Sequence, residues 1–574
     1  MSVGVKRFIK IWITSLILFC LTTAFAAQIA NLPSTVFPSR VQQSLTDKKP
    51  DLALKPTRLS PSDKTGSNAT MMANAQKLFF TLKKIILIGN HVYSDQELSV
   101  LYQDKLNKRI SLAELIEIVD KISNYYRSHG YIISRAVLPP QTIANGTVTI
   151  QVIEGYISKV DVIGHPYGAR ALVQAYGDHM AADKPIRLST LEHYIQLANE
   201  IPGTTVRSVL KPSKTTPAAS DIDLYTETQT AVANVSYDNY GTRYIGPQET
   251  TISTAFNSIF RSGDATGLTL TGSSNLQALR SASVVHDTPI GTEGKRFALG
   301  GNYTETRPGF ILAPLELIGR AKNAYATFRF PVIRSLTEEL TFAGAFNYID
   351  SGTNAAIGKL YLDKIRSLEL NAIYQLADRH SGNNQILFNL SKGLPVLGAS
   401  PSGELTGVSR AGGRTDYTKV NMQAVRLQGV TDRLSIYLLA MGQYSFNSLL
   451  VPVQFGYGGS QVGRGYDPSE IIGDRGLSGS IELRFNTQPS FRLLQAMQYY
   501  AFYDIGKIWN ILTLNVPNNQ SASSVGIGTR LQFTKNLSGN LFVAQPLTKQ
   551  VAALEIIGNG RSPRVFFSVS LGTD

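Results

Sequence analysis

From about Ala231 to its end the chain alternates apolar and polar residues with a period of two. Ala231, Ala233, Val235 and Tyr237 alternate with Asn234, Ser236 and Asp238, and Phe342, Gly344, Phe346 and Tyr348 with Thr341, Ala343, Ala345 and Asn347. The same holds for Leu368, Leu370, Ala372 and Tyr374 against Glu369 and Asn371, and for Val525, Ile527, Leu531 and Phe533 against Arg530, Gln532 and Thr534. Successive strand side chains point to opposite faces, so each segment is a strand with one apolar and one polar face. A soluble sandwich would hide the apolar faces between two sheets, whereas a closed membrane barrel would turn them to lipid. About 344 residues shared among 16 strands leave roughly 21 per strand and connection, which suits strands of about ten residues.

Upstream the pattern changes to mixed periods. Phe80–Gly89 reads as a strand, and Ser94–Leu106 and Ser111–His129 as helices, each opened by a serine with Glu97 or Glu114 three residues on, a capping box. Tyr131–Val137 and Thr147–Ile153 read as strands around Pro139-Pro140-Gln141. The order β-α-α-β-β then recurs: strand Lys159–Gly164, helices Gly168–His179 and Ser189–Glu200, strands Thr205–Leu210 and Ile222–Thr226. A repeated order of this kind predicts a pair of like domains.

Ahead of the pair, residues 27–76 are polar and broken by Pro33, Pro38, Pro50, Pro56 and Pro61, a linker composition. Within it Ser39–Lys48 has a serine cap and no breaker and can form two to three helical turns. At the start, Lys6, Arg7 and Lys10 precede an apolar run from Ile11 to Leu21, with Ala24-Phe25-Ala26 supplying small residues. This reads as a secretory signal peptide over 1–26, since a dozen apolar residues fall short of the roughly 20 that a spanning helix needs. The single cysteine, Cys20, lies inside it, so the mature chain is expected to hold neither a disulfide nor a thiolate metal site. The remaining expected divisions are 77–156 and 157–229 for the paired domains and 230–574 for the barrel.

Composition narrows the classes. Charged residues are 17% of the 574, Gly reaches 48, and Tyr and Phe number 26 and 24, a mixture that fits an outer-membrane or all-β protein. The net charge of +14 is spread among acidic residues with no basic run of five, so nucleic acid is not expected as a partner. The seven histidines are dispersed, and no metalloprotease, serine-hydrolase or phosphate-loop signature occurs. Catalysis, cofactors and metals are therefore not expected.

The densest chemistry lies in Gln461–Gly476, QVGRGYDPSEIIGDRG, just before the strand pattern of Ile481, Leu483 and Phe485, and in FYDIG at Phe502–Gly506. Taken alone, Arg464 between glycines could serve a phosphate cradle or an exposed turn. Asp504 lies between Tyr503 and Ile505, and a carboxylate on the lipid side of a barrel is costly, which puts Asp504 on the inner side.

Together these segments resemble the outer-membrane transporters of two-partner secretion, the haemolysin secretion/activation (ShlB/FhaC/HecB) family. The resemblance is carried by Pro139-Pro140-Gln141 with Gly146 and Val152-Ile153-Glu154-Gly155; by Asp238-Asn239-Tyr240-Gly241; and by Gly393-Leu394-Pro395 with Gly398-Ala399. Its most specific residues are Gly458-Gly459, Arg464-Gly465-Tyr466, Gly473-Asp474, Glu482-Leu483 and Tyr503-Asp504-Ile505-Gly506. The family usually has Val-Arg-Gly where this chain has Val462-Gly463-Arg464-Gly465.

The resemblance implies a transmembrane antiparallel β-barrel of 16 strands, preceded by two α+β polypeptide-transport-associated (POTRA) domains in the periplasm and a helix, 39–48, able to plug the pore. It implies that the Gly-rich loop folds back into the lumen, where Arg464, Gly465 and Tyr466 meet Asp504, supported by Gly458, Gly459, Gly473, Asp474, Glu482 and Gly506. The activity implied is export of a large unfolded exoprotein without nucleotide hydrolysis. Further implied are outer-membrane lipid around the barrel, barrel-assembly machinery and periplasmic chaperones during biogenesis, and a monomer. A three-stranded POTRA sheet with an open edge can take an extended client as an added strand. Lys83, Lys84, Lys105, Lys108 and Arg109 make the first repeat basic, either for an acidic client or as a solvated face. The competing classes are a barrel-assembly insertase of the BamA/TamA type and a passive porin.

Overall fold

The computed structural model describes residues 32–46, 75–216, 219–489, 491, 493–512, 517–551 and 560–573. The expected signal peptide and the leader, apart from 32–46 and 75–76, lie outside the described residues. The first element is helix α1 (Pro38–Thr46), preceded by one 3-10 turn at Ser34–Val36.

The first α+β unit runs β1 (Phe79–Leu82), β2 (Lys84–Ile88), α2 (Asp95–Ser99), β3 (Lys108–Ser111), α3 (Leu112–Ser128), β4 (Arg135–Val137) and β5 (Thr147–Ile153). Both capping boxes form, Ser94 with Glu97 and Ser111 with Glu114. The sequence reading of one strand over Phe80–Gly89 is corrected. The chain turns at Lys83, whose N–H donates to Gly146 O at 2.8 Å, and the two halves join different sheets, β1 with β3 and β2 with β5. The helix over Ser94–Leu106 is also shorter. Leu98 and Tyr102 both reach the core, and the chain bends through a 3-10 turn to Asn107 at φ 62°, whose N–H donates to Leu82 O, so that Lys108–Ser111 can pair with β1. Of Tyr131–Val137 only the last three residues are strand.

The second unit repeats the plan with β6 (Ile157–His165), α4 (Arg170–Ala182), α5 (Leu188–Asn199), β7 (Thr204–Pro212) and β8 (Ser220–Thr228). Its sheet is ordered β6-β8-β7, with β6 parallel to β8, and the helices bury Leu172, Val173, Tyr176, Leu191 and Ile195 against it.

Sixteen strands then close into an antiparallel barrel. They are β9 (Ala231–Asp238), β10 (Glu249–Asn257), β11 (Ala265–Ser273), β12 (Leu279–Ile290), β13 (Lys295–Thr306), β14 (Ile318–Arg334), β15 (Glu338–Ala355), β16 (Gly358–Ala377), β17 (Gly382–Gly393), β18 (Thr418–Gly429) and β19 (Leu434–Ser445). After a small hairpin, β20 (Phe455–Tyr457) with β21 (Ile471–Gly473), follow β22 (Arg475–Thr487), β23 (Ala496–Trp509), β24 (Asn519–Gln532), β25 (Leu537–Pro546) and β26 (Arg564–Gly572). The apolar parity faces outward: Tyr503 is 41% and Ile505 51% exposed, while Asp504 between them is fully buried. A closed sheet with its apolar side out is an arrangement for lipid, not for a sandwich core.

The second unit sits against the barrel's short turns. Arg334 Nε lies 2.6 Å from Glu200 Oε1, the Leu172 N–H donates to Ser262 Oγ, and His179 Nε2 lies 2.8 Å from Thr292 Oγ1. These contacts mark one end of the barrel, the end expected to face the periplasm. The barrel closes between β26 and β9 over Ser568–Gly572 and Asn234–Asp238, with the Thr573 N–H donating to Ala233 O and the Asn239 N–H to Phe567 O at its ends, and the Asn239 side chain extends the seam, donating to Val565 O and accepting from the Phe567 N–H.

Candidate functional site

The chain between β19 and β22 does not stay at the rim. Ser445 ends β19, a 3-10 turn forms at Val451–Val453, and β20 pairs with β21 so that the segment between them, 458–470, is presented as a tip. Gly458 and Gly459 carry the turn at φ 117° and 115°, and a Cβ on Gly458 would stand 2.2 Å from Asp467 O. Only glycine fits such a backbone without strain.

At the tip Arg464 meets the inner face of β22 and β23. Its Nε donates to Asp504 Oδ2 at 3.0 Å and its Nη2 to Oδ1 at 2.8 Å, a bidentate pair. The N–H groups of Gly463 and Arg464 donate to the same Oδ2 at 3.0 Å each, so one carboxylate holds backbone and side chain together. Gly463, the extra residue relative to the family pattern, adopts φ 79° and aims its N–H at Asp504. Nη1 of Arg464 donates to Glu482 Oε2, Nη2 to Ser480 Oγ at 2.9 Å, and the guanidinium lies 3.5 Å from the centre of the Phe502 ring. Glu482 also receives Arg484 and Arg530 at 2.8 Å each. A desolvated charge network of this kind stands only when every member has partners.

Neighbouring residues fix the loop. Tyr466 donates its hydroxyl to Ser523 O at 2.9 Å, and the Gly465 N–H donates to Ser524 Oγ at 3.3 Å. A side chain on Gly465 would enter Ser524 and the Pro546 backbone, and one on Gly473 would enter Ile508. At the loop base buried Asp474 pairs with Arg410 and accepts from the N–H groups of Leu449 and Ile511 at 2.8 Å.

Four contributors were not among the residues singled out in the sequence. Arg564 donates to Asp467 at 2.6 Å and to Gly465 O at 3.1 Å, and Lys549 lies 3.0 Å from Glu470. Arg40 of α1, only 1% exposed, donates to Val451 O at 2.6 Å and Gln454 O at 2.5 Å. Ser34 adds a 2.6 Å hydrogen bond to Ser469 O. Thus α1 lies inside the barrel, bound to the loop's carbonyls. The contacts of Arg40 and Ser34 carry no motif signal, because a carbonyl acceptor leaves no trace in side-chain pattern.

Between α1, the loop and the barrel wall is a cavity of about 760 Å3. Its wall on β16, β17 and β18 carries Asn371, Asn389 and Asn421 in one row, with Asn421 donating to Asn389 at 2.9 Å and Asn389 to Asn371 at 2.8 Å. The lumen wall is therefore charged on β22 and β23, where the loop is moored, and carries an amide row on β16, β17 and β18. Among the described residues no group of three metal-ligating side chains occurs.

The motif residues of the first α+β unit form a separate, structural cluster. Glu154 accepts from the N–H groups of His91 and Val92 and from the Tyr126 hydroxyl at 2.7–2.8 Å. Gly155 lies against Ile133 O, and Gly146, at φ 74°, against Thr81 O. Pro139 and Pro140 follow β4 and stop its ladder, and the amide of Gln141 then pairs with both backbone groups of Thr149 at 2.6 and 2.8 Å.

The description "Haemolysin secretion/activation protein ShlB/FhaC/HecB" matches residues 219–531, and "POTRA domain, ShlB-type" matches residues 80–155. Among curated proteins the chain is similar to the heme/hemopexin transporter protein HuxB of Haemophilus influenzae, 23% identical over 83% of this chain and 85% of that one. It is also similar to the outer membrane transporter CdiB of Dickeya dadantii, 23% identical over 75% and 76%. The solved structure of CdiB from Escherichia coli shares the fold, with a TM-score of 0.72 over 93% of this chain and 98% of that one at 18% identity.

Proposed function

The chain belongs to the haemolysin secretion/activation (ShlB/FhaC/HecB) family, and from that premise we propose that it exports one large exoprotein across the outer membrane. The barrel spans the outer membrane, and the two α+β units stand in the periplasm as POTRA domains. The client is received there unfolded, passes through the lumen as an extended chain, and leaves without nucleotide hydrolysis. The family is one of transporters, and we read no catalytic role into this member. Its divisions on this reading are a signal peptide at 1–26, a leader at 27–76 holding the plug, POTRA domains at 77–156 and 157–229, and the barrel at 230–574. Barrel-assembly machinery and chaperones act during biogenesis, and the working unit is a monomer.

The observation that carries the reading is the furnished lumen. A diffusion pore has no use for a loop moored by a buried arginine, nor for a polar helix held by two carbonyls. Helix α1 buries the polar Ser39, Arg40 and Gln42, while Leu32, Val36, Phe37, Pro38, Val41 and Leu45 supply its segment's apolar contacts. Loop and α1 occupy the lumen together, so displacement of α1 by the client is the opening step, with the Arg464 anchor as the fixed side of the channel.

Recognition precedes opening. In the second unit β7 is a sheet edge nine residues long with Val209 and Leu210 exposed, whereas β4 of the first unit is three residues long and stopped by Pro139. The longer edge is the better template for an added client strand. The test is co-expression with the large, signal-bearing, strand-repeat-rich protein encoded beside this chain. Client in the medium that depends on this chain is expected; its absence, with the barrel assembled in the membrane, would overturn the reading.

A further inference from the structure

One charge cluster lies outside the lumen. Glu305, near the end of β13, has the odd parity of Phe297, Leu299 and Tyr303, which are 37%, 58% and 38% exposed, and so stands on the outer face of the barrel. Its Oε1 receives Arg280 at 2.8 Å and Arg307 at 3.1 Å, and its Oε2 receives Arg320 at 3.1 Å and the Tyr303 hydroxyl at 3.0 Å. Arg280 on β12 and Arg320 on β14 are its direct cross-strand neighbours. Lys322 extends the cluster along the outer parity of β14.

Depth follows from connectivity. The β12–β13 turn, with Thr292 and Glu293, touches the second POTRA unit at the periplasmic end. Glu305 lies eight residues beyond Phe297, roughly 27 Å along the strand and about 20 Å in height at the usual barrel tilt, just past Tyr303. That is close to the far edge of an apolar band about 25 Å tall, where an aromatic girdle meets the outer leaflet's head groups. Charge at mid-bilayer would be expensive, and at this level it costs little.

The balance of charge calls for an anion. One carboxylate, 9% exposed, faces three guanidinium groups that keep 55%, 43% and 47% of their side chains exposed. Glu305 cannot neutralise three cations; it gathers them into one patch. Arginine forks match phosphate oxygens in bidentate fashion, and the patch opens sideways toward lipid, not into water. We propose that Arg280, Arg307 and Arg320, spaced by Glu305, bind the phosphate of a phosphorylated glycolipid in the outer leaflet. The site rests on residence in the outer membrane and is independent of secretion.

The test uses the full-length chain purified in detergent and probed by native mass spectrometry with bisphosphorylated lipid A, dephosphorylated lipid A and inorganic phosphate. Retention of the bisphosphorylated lipid, weak retention of the dephosphorylated one, and a roughly tenfold or larger loss of affinity in Arg280→Gln/Arg320→Gln are expected, as for lost charge-assisted contacts. Arg307→Gln, beyond the end of β13, serves as a second variant, and Arg414→Gln, an exposed arginine paired with Asp416, as a control that keeps binding. Unfolded barrels are recognised by loss of heat-modifiable migration and set aside in favour of the Arg307 variant. Equal lipid retention by wild type and the site variants, equal retention of the dephosphorylated lipid, or displacement by millimolar inorganic phosphate would each overturn the site.

Discussion

Gly506 of β23 lies flat against the ring of Tyr457: a Cβ at 506 would stand 2.2 Å from Tyr457 Cδ2 and 2.6 Å from Cε2. Tyr457 is fully buried and ends the hairpin arm that carries the loop tip, so the missing side chain sets how close the loop comes to the wall. The Gly506→Ala variant should lift the loop base at a cost of about 1–3 kcal/mol, as for overpacking elsewhere. Barrel assembly should persist and export should fall. Export at the wild-type level would mean that loop position does not govern transport.

Arg464 serves Asp504, Glu482 and the Phe502 ring at once, and lysine offers neither a fork nor a flat face. Arg464→Lys is therefore expected to behave like Arg464→Ala. In a dry site, removing one partner of such a pair costs about 3–5 kcal/mol, and lumen water lowers that, so the loss should appear in loop position before fold. Limited proteolysis of the loop, read beside export, separates the two. Undiminished export in Arg464→Ala or Asp504→Ala would end the anchor's functional role.

Arg40 is the main tether of α1, through Val451 O and Gln454 O. With Arg40→Ala the helix should spend more time outside the lumen, and single-channel conductance in planar bilayers should rise in frequency of open events. Conductance identical to wild type would show that α1 is held by something other than this tether.

Asn239 supplies two hydrogen bonds across the β26–β9 seam beyond the point where β9 stops. Asn239→Ala should lower the temperature at which the folded band converts to the unfolded one in gel electrophoresis, by the equivalent of about 1–3 kcal/mol. An unchanged midpoint would show that the short ladder alone secures closure.

Much of this architecture was legible because strand period and membrane physics coincide. The parity read at Tyr503-Asp504-Ile505 is the parity observed, since a barrel wall sorts residues by solvent more sharply than a globular core does. The α+β units were less legible at their joints. The break at Lys83 is set by pairing of Leu82 with Lys108 and of Lys84 with Thr147, partners far along the chain that no local pattern reveals. The Arg464–Asp504 contact could be named because opposite charges stood in recognisable motifs. Arg564, Lys549 and Arg40 could not, since three of their acceptors are the carbonyls of Val451, Gln454 and Gly465, and the buried acids Asp467 and Glu470 find their cations only through the fold. Glu305 with its three arginines was missed for a simpler reason: the residues lie on three strands, and register alone brings them together.

The asparagine-lined wall of β16, β17 and β18 sets how freely a client slides. Asn371, Asn389 and Asn421 offer donors and acceptors to a passing backbone but little charge and no large apolar surface, and their mutual hydrogen bonds keep the row flat. A client in transit must exchange contacts continually, so each must be weak and replaceable. Asn389→Leu would place an apolar side chain where extended segments could lodge. Asn389→Asp would set a carboxylate beside Glu369, whose Oε2 now accepts from Asn389 at 3.1 Å. Asn389→Ser keeps a small hydroxyl. Export should stay near wild type in the serine variant and fall in the other two, with client cross-linkable inside the barrel of the leucine variant. Export by Asn389→Leu at the wild-type rate would show that the client travels along some other wall.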